Sequence, residues 1–439
     1  MTRQYPAYRE SGVEWLGQLP DGWSVMNPRR IFSQEREPAQ ATDEQLSATQ
    51  KSGVIPQRLY MEQEDQKVVL ALAGLDNFKR VRAGDFVISL RSFQGGIERS
   101  SYDGCVSPAY TVLRPKLKTD GGYFRYLLKT DEFILKLQSV TSGIRDGRNV
   151  SYEQFALVPL CFPPLPEQTA IAAFLDRETA KIDALVEEQR RLIDLLREKR
   201  QAVISHAVTR GLNPAAKLKP SGVDWLGDVP EWWEVASVRR CSTRVVTGST
   251  PSNDAPNTEQ DEAFAWYTPG DFSEELLLSA SARSVPSSTV LAGELRVFPS
   301  NSVLVVSIGA TLGKVGYSEV ACSANQQINA IVPNEKVTAR FLAYSLSEKT
   351  AVMRFLSNAS TIGIMNQEKT KEIVIAVPPI REQDDIVRYL DQRTSELKAL
   401  SETAEVAITL LQERRAALIS AAVTGKIDVR DFAAETEAA

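Results

Sequence analysis

The sequence predicts an α+β fold written twice: two similar globular blocks separated by two long helices that form an antiparallel coiled coil, with an internal pseudo-twofold. Three observations carry this prediction. The segment Ser11-Gly-Val-Glu-Trp-Leu-Gly-Gln-Leu-Pro-Asp-Gly-Trp23 returns as Ser221-Gly-Val-Asp-Trp-Leu-Gly-Asp-Val-Pro-Glu-Trp-Trp233. Pro163-Pro-Leu-Pro-Glu-Gln168 with Phe174-Leu-Asp176 returns as Pro378-Pro-Ile-Arg-Glu-Gln383 with Tyr389-Leu-Asp391, at a constant offset of 215 (378 − 163, 389 − 174). Short β-branched runs punctuated by turn residues precede each long amphipathic stretch. A period of this length is far beyond the roughly 20 to 50 residues of a solenoid unit, so whole domains are repeated.

Five segments follow along the chain. Residues 1–160 form the first block, in which Lys67–Leu72, Asp85–Leu90 and Ala109–Leu113 read as strands and Tyr123–Leu137 as a helix. Residues 161–212 are the first long helix. Residues 213–376 repeat the plan, with Ser302–Ile308 and Ile328–Val332 as strands and Thr338–Phe355 as a helix. Residues 377–427 are the second long helix, and residues 428–439 are expected to be a tail. Outside the shared signatures the two blocks differ widely, so one scaffold carries two different surfaces.

The helices start where Pro166 loses nothing by lacking an N–H and where Glu167 faces the positive end of the helix dipole. A seam is expected along Leu175, Ile182, Leu185, Leu192, Leu196 and Val203, interrupted by Glu178, Gln189, Lys199 and His206. Its copy reads Leu390, Leu397, Leu400, Ala404, Ala407, Leu411, Leu418 and Ala421. A helix from Pro166 to Thr209 is roughly 66 Å long at about 1.5 Å per residue, and it needs a partner to bury its seam. The copy, running back antiparallel, is that partner.

Composition narrows the function. The chain has 439 residues and a formal net charge of −5, which argues against coating nucleic acid by bulk charge but leaves room for local basic patches. No run of about 18 apolar residues is present to span a bilayer, and the start lacks the apolar core of a signal peptide, so a cytoplasmic location with no membrane contact is expected. Cys105, Cys161, Cys241 and Cys322 stand far apart, so neither a zinc knuckle nor a disulfide frame is expected. Cys105 and Cys322 occupy equivalent positions and read as buried small apolar residues. His206, the one histidine, has Ala421 as its repeat equivalent, which argues against a symmetric catalytic or metal role.

The doubled openings, the two helix starts, and Gly248-Ser-Thr-Pro251 with Ala324-Asn-Gln-Gln-Ile328 together resemble the specificity subunits of type I restriction-modification systems. The likeness spans nearly the whole chain, and the order and duplication of the motifs make it specific. It implies that each block is a target recognition domain reading one half of a bipartite asymmetric DNA sequence, spaced by the helices. It further implies double-stranded DNA and two modification subunits as partners, with motor-nuclease restriction subunits in the full complex. Adenine methylation would then belong to those partners, with S-adenosylmethionine and ATP bound by them and no cofactor in this chain. Two other readings stay open: a coiled-coil adaptor that organises protein partners without DNA specificity, and the specificity subunit of a system whose partner fuses nuclease and methyltransferase.

Candidate DNA contacts lie in polar, glycine-bearing loops, because Arg clamps phosphate or guanine and Asn or Gln pairs with the edge of adenine. In the first block they are Arg91, Ser92, Gln94 and Arg99, then Arg145, Arg148 and Asn149. In the second they are Thr247, Ser249, Thr250, Lys314, Asn325, Gln326, Gln327, Asn358 and Ser360. Each loop has the alternative reading of a solvated turn. Trp15 and Trp225, identical in both copies, are expected to be core or helix-docking residues. Gly309-Ala-Thr-Leu-Gly-Lys314 imitates a phosphate loop but has three residues between its glycines and Val315 after the lysine, so nucleotide binding is not expected. No catalytic or metal-ligating residues are assigned.

Overall fold

The structure, a computed structural model, describes residues 3–50, 52–64, 77–90, 92–141, 150–251, 263–291, 293, 295–357 and 363–432. The chain divides into two compact units, Met1–Arg190 with Val406–Ala439 and Arg191–Glu405. Each unit therefore combines one block with the near end of its own long helix and the far end of the other.

The first unit is organised by an antiparallel sheet of β1 (Phe32–Glu35), β2 (Phe86–Ile88), β3 (Glu98–Arg99) and β4 (Thr111–Pro115), in the order β1-β4-β2-β3. Alternation decides its faces. Phe32, Phe86, Ile88 and Leu113 join the main core with Phe124, Phe133 and Phe155. Val87 and Val112 point the other way, to a smaller cluster with Leu46, Val54, Val81 and Val106. The segment expected as one helix over Tyr123–Leu137 is two, α1 (Gly121–Leu127) and α2 (Asp131–Ser139). The break has a local cause, since the Thr130 hydroxyl accepts from Phe133 N and caps a new start. The strand expected over Lys67–Leu72 lies outside the described residues.

The long helix α3 runs Leu165–Arg210 without interruption and stops at Gly211, whose φ of +74° is the left-handed conformation that ends helices. The second unit repeats the sheet: β5 (Ser242–Thr247), β6 (Ser302–Val306), β7 (Val315–Ser318) and β8 (Ile328–Pro333), in the order β5-β8-β6-β7. Val303, Val305 and Ile331 face the helices with Phe341 and Leu342. Leu304, Val306, Ile328 and Ala330 face Tyr267, Phe298 and Cys322. Thr338–Phe355 also divides, into α4 (Ala339–Ser347) and α5 (Thr350–Leu356). The last helix, α6, runs Ile380–Val423.

The repeated opening encodes a hairpin loop. Ser11 N donates to Gly17 O at 3.0 Å and Ser221 N to Gly227 O at 3.1 Å, while Gly12, Gly17, Gly222 and Gly227 all have φ between +60° and +76°. Trp23 and Trp233 follow into the two cores, each 1% exposed. Of the expectation that both repeated tryptophans are core or helix-docking residues, a core place for Trp225 is corrected, since it is exposed, while Trp15 packs edge-on against Phe133.

The helix seams also differ in register from the expectation. On α3 a seam of buried or half-buried positions runs Leu175, Thr179, Ile182, Val186, Gln189, Ile193, Leu196, Arg200, Val203 and Ala207, a strict alternation of four and three. Leu185 and Leu192, expected at the seam, are 44% and 41% exposed. On α6 the seam is Leu390, Thr394, Leu397, Ser401, Ala404, Ile408, Leu411, Arg415, Leu418 and Ala422, matching α3 position by position at the offset of 215 (390 − 175, 422 − 207). Leu400 is exposed. Within the first unit the two helices run antiparallel: Arg415 pairs with Asp183 at 2.9 Å, and the Val423 carbonyl accepts from Tyr123 Oη and Cys161 Sγ just before α3 begins.

Residues after α6 dock onto the first unit. Asp428 N donates to Arg3 O at 2.8 Å, the Arg430 guanidinium stands 4.8 Å from the Tyr5 ring centroid, and Phe432 packs on Phe174. All four cysteines are free and buried, and burial pushes the Cys105 and Cys322 thiols up to about 11.

Candidate nucleic-acid interface

Two groups of polar residues have to be told apart: those that build the scaffold and those that reach solvent at the loops. The repeated Pro-Pro-x-x-Glu-Gln motif belongs to the first. Gln168 is fully buried; its Oε1 accepts from Asp120 N at 2.9 Å and its Nε2 donates to Pro163 O. Gln383 does the same with Thr338 N and Pro378 O. Each glutamine thus ties a long helix to the N-cap of the helix that follows the sheet. Asp176 and Asp391 then hold Tyr126 and Tyr344 by their hydroxyls at 2.7 and 2.9 Å, and each also pairs with an arginine, Arg125 or Arg340.

In the second unit two of the candidate loops come together at one end of the sheet. Chain leaving β5 passes Thr247–Thr250, and chain entering β8 passes Asn325–Gln327. Gly248 N donates to Ile328 O at 2.9 Å and Ser249 N to Ala324 O at 2.8 Å. A Cβ on Gly248 would stand 2.2 Å from both the Ala324 and Asn325 carbonyl oxygens, so only glycine allows this backbone contact. Thr247 Oγ1 bonds to Asn329 Oδ1 at 2.8 Å, and Ser249 Oγ accepts from Arg296 N at 2.9 Å. Asn325 and Gln327 bond to one another at 3.1 Å. Thr247, Ser249, Asn325 and Gln327 therefore brace the loops, while Thr250 and Gln326 are exposed.

Lys314 is not part of this pair of loops; its ammonium donates to Phe272 O at 2.8 Å. The stretch Gly309–Lys314 is a turn between two strands, with φ of +97° at Gly309 and +92° at Gly313, and not the strand-to-helix junction a phosphate loop requires.

In the first unit Gln94 is exposed in the short helix Ser92–Gly95. Ser92 is buried and its Oγ accepts from Ser89 N at 2.9 Å, closing the turn, so it has no surface to offer DNA. Arg99 is half-buried and its Nε has no partner among the described residues. It lines a groove of about 1320 Å³ in which cations are matched by acids: Arg125 with Asp176, Lys129 with Glu98, Arg415 with Asp183, Arg190 with Glu187. Such a groove has little unspent positive charge for a phosphate backbone. Burial raises the Glu98 carboxyl to about 7 against the opposing pull of Lys129. Arg91, Arg145, Arg148, Asn149, Asn358 and Ser360 lie outside the described residues.

The topology also identifies loops that sequence reasoning missed. The first-unit counterparts of Thr247–Thr250 and Asn325–Gln327 are the chain leaving β1, Arg36–Gln40, and the chain entering β4, Ser107–Tyr110. Arg36, Pro108 and Ala109 are exposed there. Lys79 Nζ donates to both Pro108 O and Tyr110 O, bracing the second of these loops. No sequence motif marks either stretch, because the blocks diverge at this end. Arg296, exposed beside the second-unit loops, was likewise unmarked.

Comparison with known proteins agrees with the doubled scaffold. The model of the type I restriction modification DNA specificity domain matches twice, over residues 20–193 and 234–408. The putative type I restriction enzyme MjaX specificity subunit of Methanocaldococcus jannaschii is 21% identical over 436 residues, covering 94% of this chain and 96% of that protein. The type I restriction enzyme MjaIX specificity subunit of the same organism is 27% identical over 187 residues, 41% of this chain and 43% of the relative, so that alignment spans less than half of either. Among solved structures, a chain from a study of complex assembly and conformational transition in a type I R-M system shares the fold, with a TM-score of 0.70 at 17% identity over 92% of this chain and 98% of that one. With the domain matched in both halves and over well more than half its length, this chain belongs to the type I restriction modification DNA specificity domain family.

Proposed function

We propose that this chain is the DNA-reading subunit of a type I restriction-modification complex and that each unit reads one half of a bipartite, asymmetric target. One observation carries this reading: the same sheet, in the same strand order, ends in chemically different loops in the two units. Thr250 and Gln326 stand exposed on the second, where Arg36, Pro108 and Ala109 stand on the first. Phosphate contacts position a protein and base contacts specify the sequence, so unlike loops on like scaffolds read unlike half-sites in like poses.

The scaffold residues repeat where the loops do not, which supports two copies of one modification subunit as partners. Methyl transfer and DNA cleavage then belong to those partners and to motor-nuclease subunits, with S-adenosylmethionine and ATP bound there. This chain contributes binding alone. A cytoplasmic location fits this role, and no helix among the described residues is long and apolar enough to cross a membrane.

The test is to replace residues 221–376 with the corresponding block of another family member and to map the methylated sequence. One half-site should change and the other should persist. A change in both halves would refute the modular reading.

A further inference from the structure

We infer that Arg296 contacts DNA from the second unit, through a base edge or a phosphate, an inference that rests on the half-site reading above. Its position is fixed from both ends. The Arg296 backbone N donates to Ser249 Oγ at 2.9 Å, its carbonyl accepts from Ser323 Oγ at 2.8 Å, and its guanidinium Nη1 donates to Thr247 O at 2.8 Å. The side chain is therefore laid along the Thr247–Thr250 loop, beside the backbone contact that Gly248 makes with Ala324 and Asn325.

Its place on the Thr247–Thr250 loop sets it apart from other exposed arginines of this unit that form no ion pair among the described residues, such as Arg244 and Arg354. Arg239, Arg240, Arg340, Arg388 and Arg393 each pair with a carboxylate. Arg296 is exposed and forms no ion pair among the described residues. A guanidinium carries five N–H donors in a rigid fork; one Arg296 bond goes to a neutral carbonyl, and no carboxylate among the described residues pairs with its charge. An arginine so tethered loses little freedom on binding, and its fork matches either a phosphate or the O6 and N7 of guanine. Its neighbours Thr250 and Gln326, both exposed, are neutral donors and acceptors suited to the same groove.

The experiment compares wild type with Arg296→Ala and Arg296→Lys, each as the full chain with its modification subunits, by DNA binding across a salt series and by mapping of methylated adenine. Arg296→Ala should weaken binding about 5- to 150-fold if a base contact is lost, with relaxed choice at one position of the second half-site and an unchanged first half-site. If the partner is phosphate, Arg296→Ala should weaken all sequences alike and reduce the magnitude of the salt slope by about one, and Arg296→Lys should restore most of the affinity. Unchanged affinity, slope and motif in Arg296→Ala would overturn the inference. So would a loss of affinity with the salt slope and motif unchanged, which would assign Arg296 to bracing the Thr247 turn alone. Wild type lacking a split motif would instead defeat the half-site reading, before either variant is compared.

Discussion

Trp23 Nε1 donates to the Glu167 carboxylate at 2.8 Å, joining the end of the repeated opening to the start of the first long helix. Tyr5 Oη donates to the same carboxylate oxygen at 3.1 Å, and burial, then Glu167, hold its phenol well above the ordinary value. The second unit is built differently. There the buried Trp233 Nε1 has no partner among the described residues, and the exposed Trp232 donates to Glu382 at 3.0 Å. Glu167→Ala strands two buried donors and should destabilise the first unit by about 1–3 kcal/mol. Glu382→Ala should cost the second unit less. Denaturant melts with hydrogen exchange resolved by unit check the contrast, and equal costs would contradict it.

The corrected helix register has its own test. Ile182→Ala removes a buried seam side chain and should cost about 2–4 kcal/mol. Leu185→Ala, three residues along on the exposed face, should change stability by less than about 0.5 kcal/mol. Thermal melts of the two variants decide it; a larger loss at Leu185 would restore the leucine-counted seam.

That register shows what was legible and what was not. The repeat, the two long helices and the two inner strands of each sheet could be read because apolar spacing and turn residues encode them locally, whereas the outer strands β1, β3, β5 and β7 were not. The seam could not be placed by counting leucines, since three of its positions on α3 are Thr179, Gln189 and Arg200 while Leu185 and Leu192 lie outside it. The breaks at Thr130 and before Thr350 were hidden because apolar spacing continues across them. Of the site, the meeting of Thr247–Thr250 with Asn325–Gln327 was anticipated as two loops but not as one surface. Their counterparts Arg36–Gln40 and Ser107–Tyr110 became visible only through strand order.

Glu98 makes stability depend on pH. Its folded carboxyl is raised to about 7 from an ordinary value of about 4.5, chiefly by burial. The unfolded chain therefore releases this proton first, and stability contributed by the protonated form is present below about 4.5 and declines as pH rises through about 7. Glu98→Gln should flatten this part of the profile, measured as urea midpoints between pH 5 and 8 at roughly half-unit steps. An unaltered slope would show that the Lys129 pair already compensates the burial.

Insertion of one heptad into each long helix preserves the strict four-and-three seam and adds about 10 Å of helix at about 1.5 Å per residue. If the helices set the unread spacer, the methylated motif should keep both halves and gain roughly three base pairs between them, at about 3.4 Å each. A spacer of unchanged length would remove the helices from that role.

As the DNA-reading subunit, this chain alone should choose a split DNA target. That choice is tested most directly by genome-wide mapping of methylated adenine in cells that express the chain with its modification subunit, against cells that lack the chain. A motif of two short defined halves around an unread spacer, present only with the chain, is the expected result. Methylation that is indifferent to the chain, from a modification subunit shown to be active, would contradict it.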